Sequence, residues 1–378
     1  MTGLLLGVDL GGTKGLLALF EPGASRPLLQ QRYACAEFDG FEPMLGRFLD
    51  EAAAQLGPLA ARPAAACIGL AGPVAGRRAT LTNLPWTLDA EGLRRRFALG
   101  PVRLVNDFAA AAAGVASLDA DGVRTLQAGA PIADAPRVIL GPGTGLGAAT
   151  MFPVGSRWRI AGGEGGHLGL APRSELEVEL WRWLHARHRG RVSAERVLCG
   201  PGLADLYRFL AERSGSGAHD PLLAADDPAA AVSTAALASS PGAEPGAMPG
   251  AMPGAMPGAA SAARPVAQPS EDACADAAPV RARATQALDL FASMLGAFAG
   301  DLALLSLPRA GLYLAGGVAP RIMDARRGAC FLAGFGDKGR HAGLMAGVPV
   351  RLVTDPALGV LGAGVLASGQ ARVLGSGR

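Results

Sequence analysis

Two stretches of this chain, one in each half, carry the same pattern. "LLLGVDLGGTKGLLALF" (4–20) and "RVILGPGTGLGAATMF" (137–152) each run apolar strand, glycine turn, apolar strand. Such a run, broken only by a glycine cluster, reads as a β-hairpin. Its recurrence predicts two related domains facing one cleft. The length of 378 residues supports that reading, because single cores stop growing near ~250–300 residues.

Helices and further strands follow each hairpin. "FEPMLGRFLDEAAAQLG" has the helical spacing of Phe41, Leu45, Phe48 and Leu49, and "AAACIGLAGPV" is a buried strand ending in a Gly-Pro turn. A polar loop to Trp86, an Arg-rich helix over 91–97, a strand over 102–105 and an alanine helix complete the first half. In the second, "SELEVELWRWLHARH" reads as a long helix and "SAERVLCGPGLADLYRFLAER" as a helix pair broken at Gly200-Pro201-Gly202. "LYLAGGVAPR" is strand, Gly-Gly turn, helix. From 214 to 280 the composition turns to low complexity, with three A-M-P-G repeats. Residues 239–270 are expected to be disordered, because Pro and Gly at that density bury little apolar surface. Helix resumes near 280.

Half the residues are hydrophobic and 18% are charged, which suits a soluble, well-buried enzyme. A net charge of +3 with no basic block argues against a nucleic-acid partner. No uninterrupted apolar run reaches ~18–20 residues, so no membrane span is expected. "MTGLLLGVDLGG" lacks the basic start of a signal peptide. Five scattered cysteines with no C-x-x-C pair point to a reducing cytoplasm and no zinc ribbon. The only lysines, Lys14 and Lys338, stand in "GGTKG" and "GDKGR" and draw attention for their rarity.

Asn106 and Asp107 fall at the joint between a strand and the alanine helix. The turn Asp9-Leu10-Gly11-Gly12-Thr13-Lys14 is either a phosphate-binding loop of backbone N–H groups or a plain hairpin turn; it lacks Walker A spacing. Gly143 to Ala148 fit a relaxed G-x-G-x-x-A, but a strand follows where a dinucleotide site needs a helix. Glu164 and His167 lie among four glycines that cannot fill a core, so both side chains are expected to face a cavity, and His167 has no partner ligands nearby for a metal. His185 and His188 read as a solvated helix face. Glu195, after Ser193, reads on its own as a first-turn glutamate favoured by the helix dipole. Gly316 and Gly317 permit close approach of a flat ligand, as such turns do without one.

Taken in order, "GVDLGGTKGLLAL", "GLAGPVAGRRATLTNLPWTLD", "LVNDFAAAAAGV", "GPGTGLGAA", "GGEGGHLGLAP", "RVSAERVLCGPGLADLYR", "LYLAGGVAPRI" and "GFGDKGRHAGLMAGVPVRLVTDPALGVLGAGVLA" resemble the bacterial ATP-dependent glucokinases over residues 3–213 and about 284–367. The resemblance implies an α/β fold of the actin-like ATPase (ribonuclease H-like) class with an interdomain cleft. Its small domain would be 1–117, joined by a C-terminal helix at 356–370; the large domain would be 118–355, carrying the 214–280 insertion. It implies transfer of the ATP γ-phosphoryl group to the 6-hydroxyl of D-glucose, giving glucose 6-phosphate and ADP. Asn106, Asp107, Glu164, His167 and Glu195 match the family's sugar positions, with Asp107 as general base. Asp9, Gly11, Gly12, Thr13 and Lys14, with Gly141, Gly143, Thr144 and Gly145, match its phosphate turns, and Gly316 and Gly317 its adenosine loop. Asp9 would hold Mg²⁺ through water. Glucose and ATP are then the small-molecule partners, in a cytoplasmic enzyme for which a homodimer is open.

Two departures stand out. Lys14-Gly15-Leu16 replaces the more usual Asn-Ala-Arg and is reminiscent of the related repressor–kinase (ROK) family, which leaves the phosphoryl donor open. That family's cysteine-rich zinc motif is absent from "LGLAPRSELEVE", so no structural zinc is expected. The competing readings are a kinase of another hexose or amino sugar on the same fold, and a non-catalytic sugar sensor. The sensor would need a DNA-binding segment, for which the first strand leaves no room.

Overall fold

The computed structural model describes residues 3–72, 74–216, 220–238 and 271–374. The first half lays down β1 (Leu5–Leu10), β2 (Lys14–Phe20), β3 (Leu29–Ala34), α1 (Phe41–Leu56) and β4 (Ala65–Leu70). A small sheet of β5 (Val74–Ala75), β6 (Arg78–Thr80) and β7 (Thr87–Asp89) leads to α2 (Ala90–Arg96), β8 (Val102–Asn106) and α3 (Asp107–Gly114). The second half gives β9 (Val123–Gln127), β10 (Arg137–Pro142), β11 (Leu146–Val154) and β12 (Arg157–Gly163). Four helices follow: α4 (Glu175–His188), α5 (Gly200–Arg213), α6 (Pro228–Leu237) and α7 (Glu271–Ser306). Then come β13 (Gly311–Leu314), α8 (Ala319–Ile322), α9 (Ala325–Gly336), α10 (Ala342–Ala346), β14 (Val350–Val353), α11 (Leu358–Ser368) and β15 (Ala371–Val373).

Both glycine hairpins form, and each lies within a sheet of the same strand order. The first sheet runs β3-β2-β1-β4-β8; the second runs β15-β12-β11-β10-β13-β14-β9. Without its edge strands β15 and β9, the second repeats the first. In each, three antiparallel strands are followed by two parallel ones. Parallel neighbours need a crossover connection, which α1 supplies before β4, and α4 to α7 before β13. This twice-used ribonuclease H-like order is the actin-like ATPase fold.

Three apolar clusters set the layers. Phe41, Met44, Leu45, Phe48 and Leu49 of α1 bury one face of the first sheet. α3 and α11 lie between the sheets, in one cluster with Leu5 and Cys67 from the first and Ile139, Met151 and Ile160 from the second. α11 is buried all round from Leu358 to Ala367, the mark of a helix enclosed by the core. α5, α6, α7 and α9 cover the far face of the second sheet.

Three sequence expectations change here. Residues 220–238, read as the onset of low complexity, include α6, whose Val232 and Ala236 are buried against the core. Alanine favours helix once a partner face exists, and α7 is that face. Buried Asp220 fixes the approach, accepting from Tyr207 Oη and Arg283 Nη1 at 2.7 Å each. Next, α7 starts at Glu271, not near 280, and continues through Pro279. Last, Gly200-Pro201-Gly202 breaks no helix but begins α5, where proline's missing N–H costs nothing. The disorder expected over 239–270 lies outside the described residues.

By length and composition the Ala278–Ser306 part of α7 could cross a membrane, with mean hydropathy 1.6. Its glycines and Asp289 and Asp301 hid this in the sequence. The helix packs against α5, α6 and α9 as a core element, with 61% of the window buried.

Candidate functional site

Asn106 closes β8 and Asp107 opens α3, at the carboxyl end of a parallel strand, where open α/β sheets form their crevices. One amide aims both side chains. Phe108 N–H donates to Asn106 Oδ1 (2.9 Å) and to Asp107 Oδ1 (2.8 Å). Burial pushes the Asp107 carboxyl above its usual range, while the Phe108 N–H draws it partly back. Asp9 stands near the end of β1, two strands away across β4. Its carboxyl is raised to about 6, first by burial and then by the charge of Asp107, against the opposing pull of Lys14. The two carboxylates and the lysine therefore share one electrostatic neighbourhood.

The β1–β2 turn is held from behind. Gly11 N–H donates to the Lys14 carbonyl (3.0 Å) and Cys35 N–H to that of Thr13 (2.9 Å). The Cys35 thiol donates to the Gly11 carbonyl (3.5 Å). Thr13 and Lys14 are exposed. Asn83 lies over Gly12, where an added Cβ would stand 3.0 Å from the asparagine's own.

The β10–β11 turn is crowded. Gly143 N–H donates to the Gly145 carbonyl (2.8 Å), and the Gly143 carbonyl accepts from Gly200 N–H at the start of α5 (2.8 Å). Leu146 N–H donates to Glu195 Oε2 (2.8 Å). Glu195 therefore reaches across to the hairpin, and does more than complement a helix start. Gly316, with φ +83, rests against the Pro142 carbonyl, which a Cβ would approach to 2.4 Å. Thr144 at the tip, and Gly316 and Gly317 beside it, are exposed.

Glu164 follows β12 and leads into a tight turn over Gly165–His167. A bridge between Gly169 and Ser193, with Ala194 N–H donating to the Leu168 carbonyl (2.8 Å), ties this turn to the segment bearing Glu195. His167 Nε2 consequently lies 3.8 Å from both Glu164 Oε2 and Glu195 Oε1. Side-chain exposures of 90% for Glu164, 55% for His167 and 31% for Glu195 leave the trio open to a ligand. α3 packs on β11 and β12, the strands flanking this cluster.

Two neighbours of the site were not among the sequence candidates: Asn83, and Phe108, whose ring lies against Gly141 and Gly147. Lys338 belongs elsewhere. Its side chain is 8% exposed and its Nζ is 2.7 Å from Asp301 Oδ1 on α7, which makes it part of a structural ion pair. His185 stacks on Trp181 and His188 lies 3.5 Å from Asp205, so both have structural neighbours. Among the described residues no three His, Cys, Asp or Glu side chains form a metal cage. The Asp9–Asp107 neighbourhood instead suits Mg²⁺, which takes one or two carboxylates and fills its sphere with water and phosphate oxygens.

The glucokinase family model matches residues 6–246 and 256–370. A glucokinase from Synechocystis sp. is 37% identical over 95% of this chain and 96% of its own length. One from Chromobacterium violaceum is 34% identical over 94% and 86%. Among solved structures, a glucokinase from an Antarctic psychrotroph superposes with a TM-score of 0.77 at 26% identity, covering 98% of this chain and 100% of that one. A ROK family glucokinase from Streptomyces griseus, in complex with glucose and AMPPNP, shares the fold at a TM-score of 0.54 and 21% identity, over 97% and 99%.

Proposed function

The chain belongs to the glucokinase family, and from that premise we infer that Asp107 is the general base of its reaction. The activity is ATP-dependent phosphorylation of glucose, giving glucose 6-phosphate and ADP. Asp107 accepts the proton of the 6-hydroxyl as that oxygen attacks the γ-phosphorus. Asn106, Glu164, His167 and Glu195 hold the remaining hydroxyls, which need acceptors and donors together. The exposed Thr13 and Lys14, and the turn at Gly143–Gly145, receive the phosphates; Gly316 and Gly317 border the adenosine. Asp9 would hold Mg²⁺ through water, and the ion would supply charge neutralisation for the transferring phosphoryl group. Positioning and charge stabilisation supply most of the rate in such transfers. Drawing the two sheets together excludes water that would otherwise consume ATP. Cys35, Cys67, Cys199 and Cys330 are free, which supports a cytoplasmic setting.

The observation that carries the assignment is the aim of Asp107. A partly buried carboxylate with its affinity for protons raised is fixed by a neighbouring amide, at the start of a helix that packs on the strands flanking Glu164, His167 and Glu195. Asp107→Asn should lower kcat by about 10²–10⁴-fold while glucose binding remains measurable by calorimetry. Near-normal kcat would refute the base. An ADP-release assay over a panel of hexoses tests the acceptor: turnover confined to another sugar would keep Asp107 and replace glucose.

A further inference from the structure

Phe108 has two separate engagements. Its N–H is shared by the carboxamide of Asn106 and the carboxylate of Asp107. Its ring, half-buried, lies on the β10–β11 hairpin over Gly141 and Gly147, which are direct cross-strand partners. A Cβ on Gly147 would stand 2.4 Å from Phe108 Cδ2, and one on Gly141 would stand 2.6 Å from Cε2. Neither distance is one that non-bonded atoms accept, so the paired glycines make a slot shaped by the ring. The ring also packs against the apolar cluster between the sheets, but where it meets the hairpin it rests on bare backbone of the opposite sheet.

We propose that Phe108 is a positioning residue that keys the Asp107 carboxylate to the hairpin carrying the second phosphate turn. The proposal rests on Asp107 as general base. The base directly follows β8 of the first sheet, whereas the turn at Gly143–Gly145 belongs to the second. Sugar oxygen, phosphorus and base must nevertheless line up within fractions of an ångström, and a misplacement of about 1 Å costs about 10²-fold. Phe108 connects the two without a flexible lever. The residue whose amide orients the carboxylate is the residue whose ring is seated between the two strands that lead into and out of the turn. Gly141 and Gly147 are then glycines for the ring's sake.

The test compares Phe108→Leu, Gly147→Ala and their combination, with Asp107→Asn alongside. Each single change should lower kcat about 10- to 100-fold with KM for glucose held within about threefold. A purely structural role would lower the melting temperature without that split. Leucine leaves room for the new methyl, so the double variant should lose little beyond the worse single. Singles with kcat within about twofold of the parent, or losses that multiply in the double, overturn the keying. Should Gly147→Ala not fold, Gly141→Ala opposes the same edge of the ring nearer its tip, at Cε2 and Cζ, and is judged by the same criteria. An active Asp107→Asn would overturn the base itself; an inactive one beside an unimpaired Phe108→Leu overturns the keying alone.

Discussion

The two hairpins look alike in sequence and have become different devices. The β1–β2 turn leaves Thr13 and Lys14 exposed and carries charge, with Asp9 near the end of β1 and Lys14 opening β2. Its supports are mainly backbone bonds from Cys35 and within the turn. The β10–β11 turn has no charge of its own. Its glycines are taken up by neighbours: Phe108 on Gly141 and Gly147, Glu195 at Gly145, the start of α5 on Gly143. On the proposed reading one turn supplies electrostatics and the other transmits position. A strand–glycine–strand signature fixes where backbone comes close, and the residues across from the glycines decide the use.

The largest separation between the two is expected at Asp9. The ordinary value of this carboxyl is 3.8 and its value in the fold is about 6. Between those values the folded protein holds a proton that the unfolded chain has released. The group's contribution to stability is therefore best at low pH and is lost as pH rises toward 6. Asp9→Asn removes that penalty. Its ligand-free melting temperature in EDTA should exceed the parent's at pH 7.5, and the gain should shrink as pH falls below 6. Activity should drop about 10- to 100-fold, as when a residue supporting a metal is lost. No substitution in the neutral second turn should stabilise the protein in this pH-dependent way. If Gly145→Ala did so, the division of labour would be wrong.

How much of this was legible beforehand follows from what leaves a mark in sequence. The hairpins, α1 and the Asn106–Asp107 joint were visible because apolar periodicity and glycine turns are local. Glu164, His167 and Glu195 were visible as polar residues, but the contact of Glu195 with Leu146 N–H depends on a long-range pairing. Phe108 and Asn83 were missed for one reason. Each packs on glycines distant in sequence, and a missing side chain does not record who fills its space. Lys338 was over-read: rarity drew attention to it, and Asp301 explains it. α6 was hidden because its short alanine run carries little periodic signal, and its stability comes from α7.

The next effect down lies at Glu195, where the Glu164–His167–Glu195 cluster touches the second turn. Glu195→Ala deletes the acceptor of Leu146 N–H together with the sugar contact proposed for this carboxylate. A hydrogen bond to a charged group is worth about 1.5–3 kcal/mol, so KM for ATP should rise about 10-fold along with KM for glucose. Glu195→Gln keeps an acceptor oxygen and should spare ATP more than glucose. Equal ATP penalties in both variants would mean that the brace does not matter.

Lys14 comes third. It opposes the rise of the Asp9 pKa, so Lys14→Met should move that carboxyl further up. The acid limb of kcat/KM for ATP, centred near the Asp9 value of about 6, should shift to higher pH, because that parameter reports the free enzyme. KM for ATP should rise by about threefold, as expected for loss of one exposed charge. An acid limb that stays in place would remove Asp9 from the titration.

The smallest effect is the one that most sharpens the contrast. Cys35 is to the first turn what Glu195 is to the second, a residue from elsewhere that reaches in and holds it. Its main hold is the N–H bond to the Thr13 carbonyl at 2.9 Å, which any residue with a normal backbone can make. The thiol adds only a weak bond to the Gly11 carbonyl at 3.5 Å. Cys35→Ala should therefore leave both KM values within about twofold and lower stability by no more than about 1 kcal/mol. A turn braced by backbone tolerates replacement of the bracing side chain, whereas a turn braced by a carboxylate proposed to face the sugar would couple nucleotide to sugar. Were Cys35→Ala to raise KM for ATP as much as Glu195→Ala does, both turns would depend on side chains, and the coupling could not be assigned to the second.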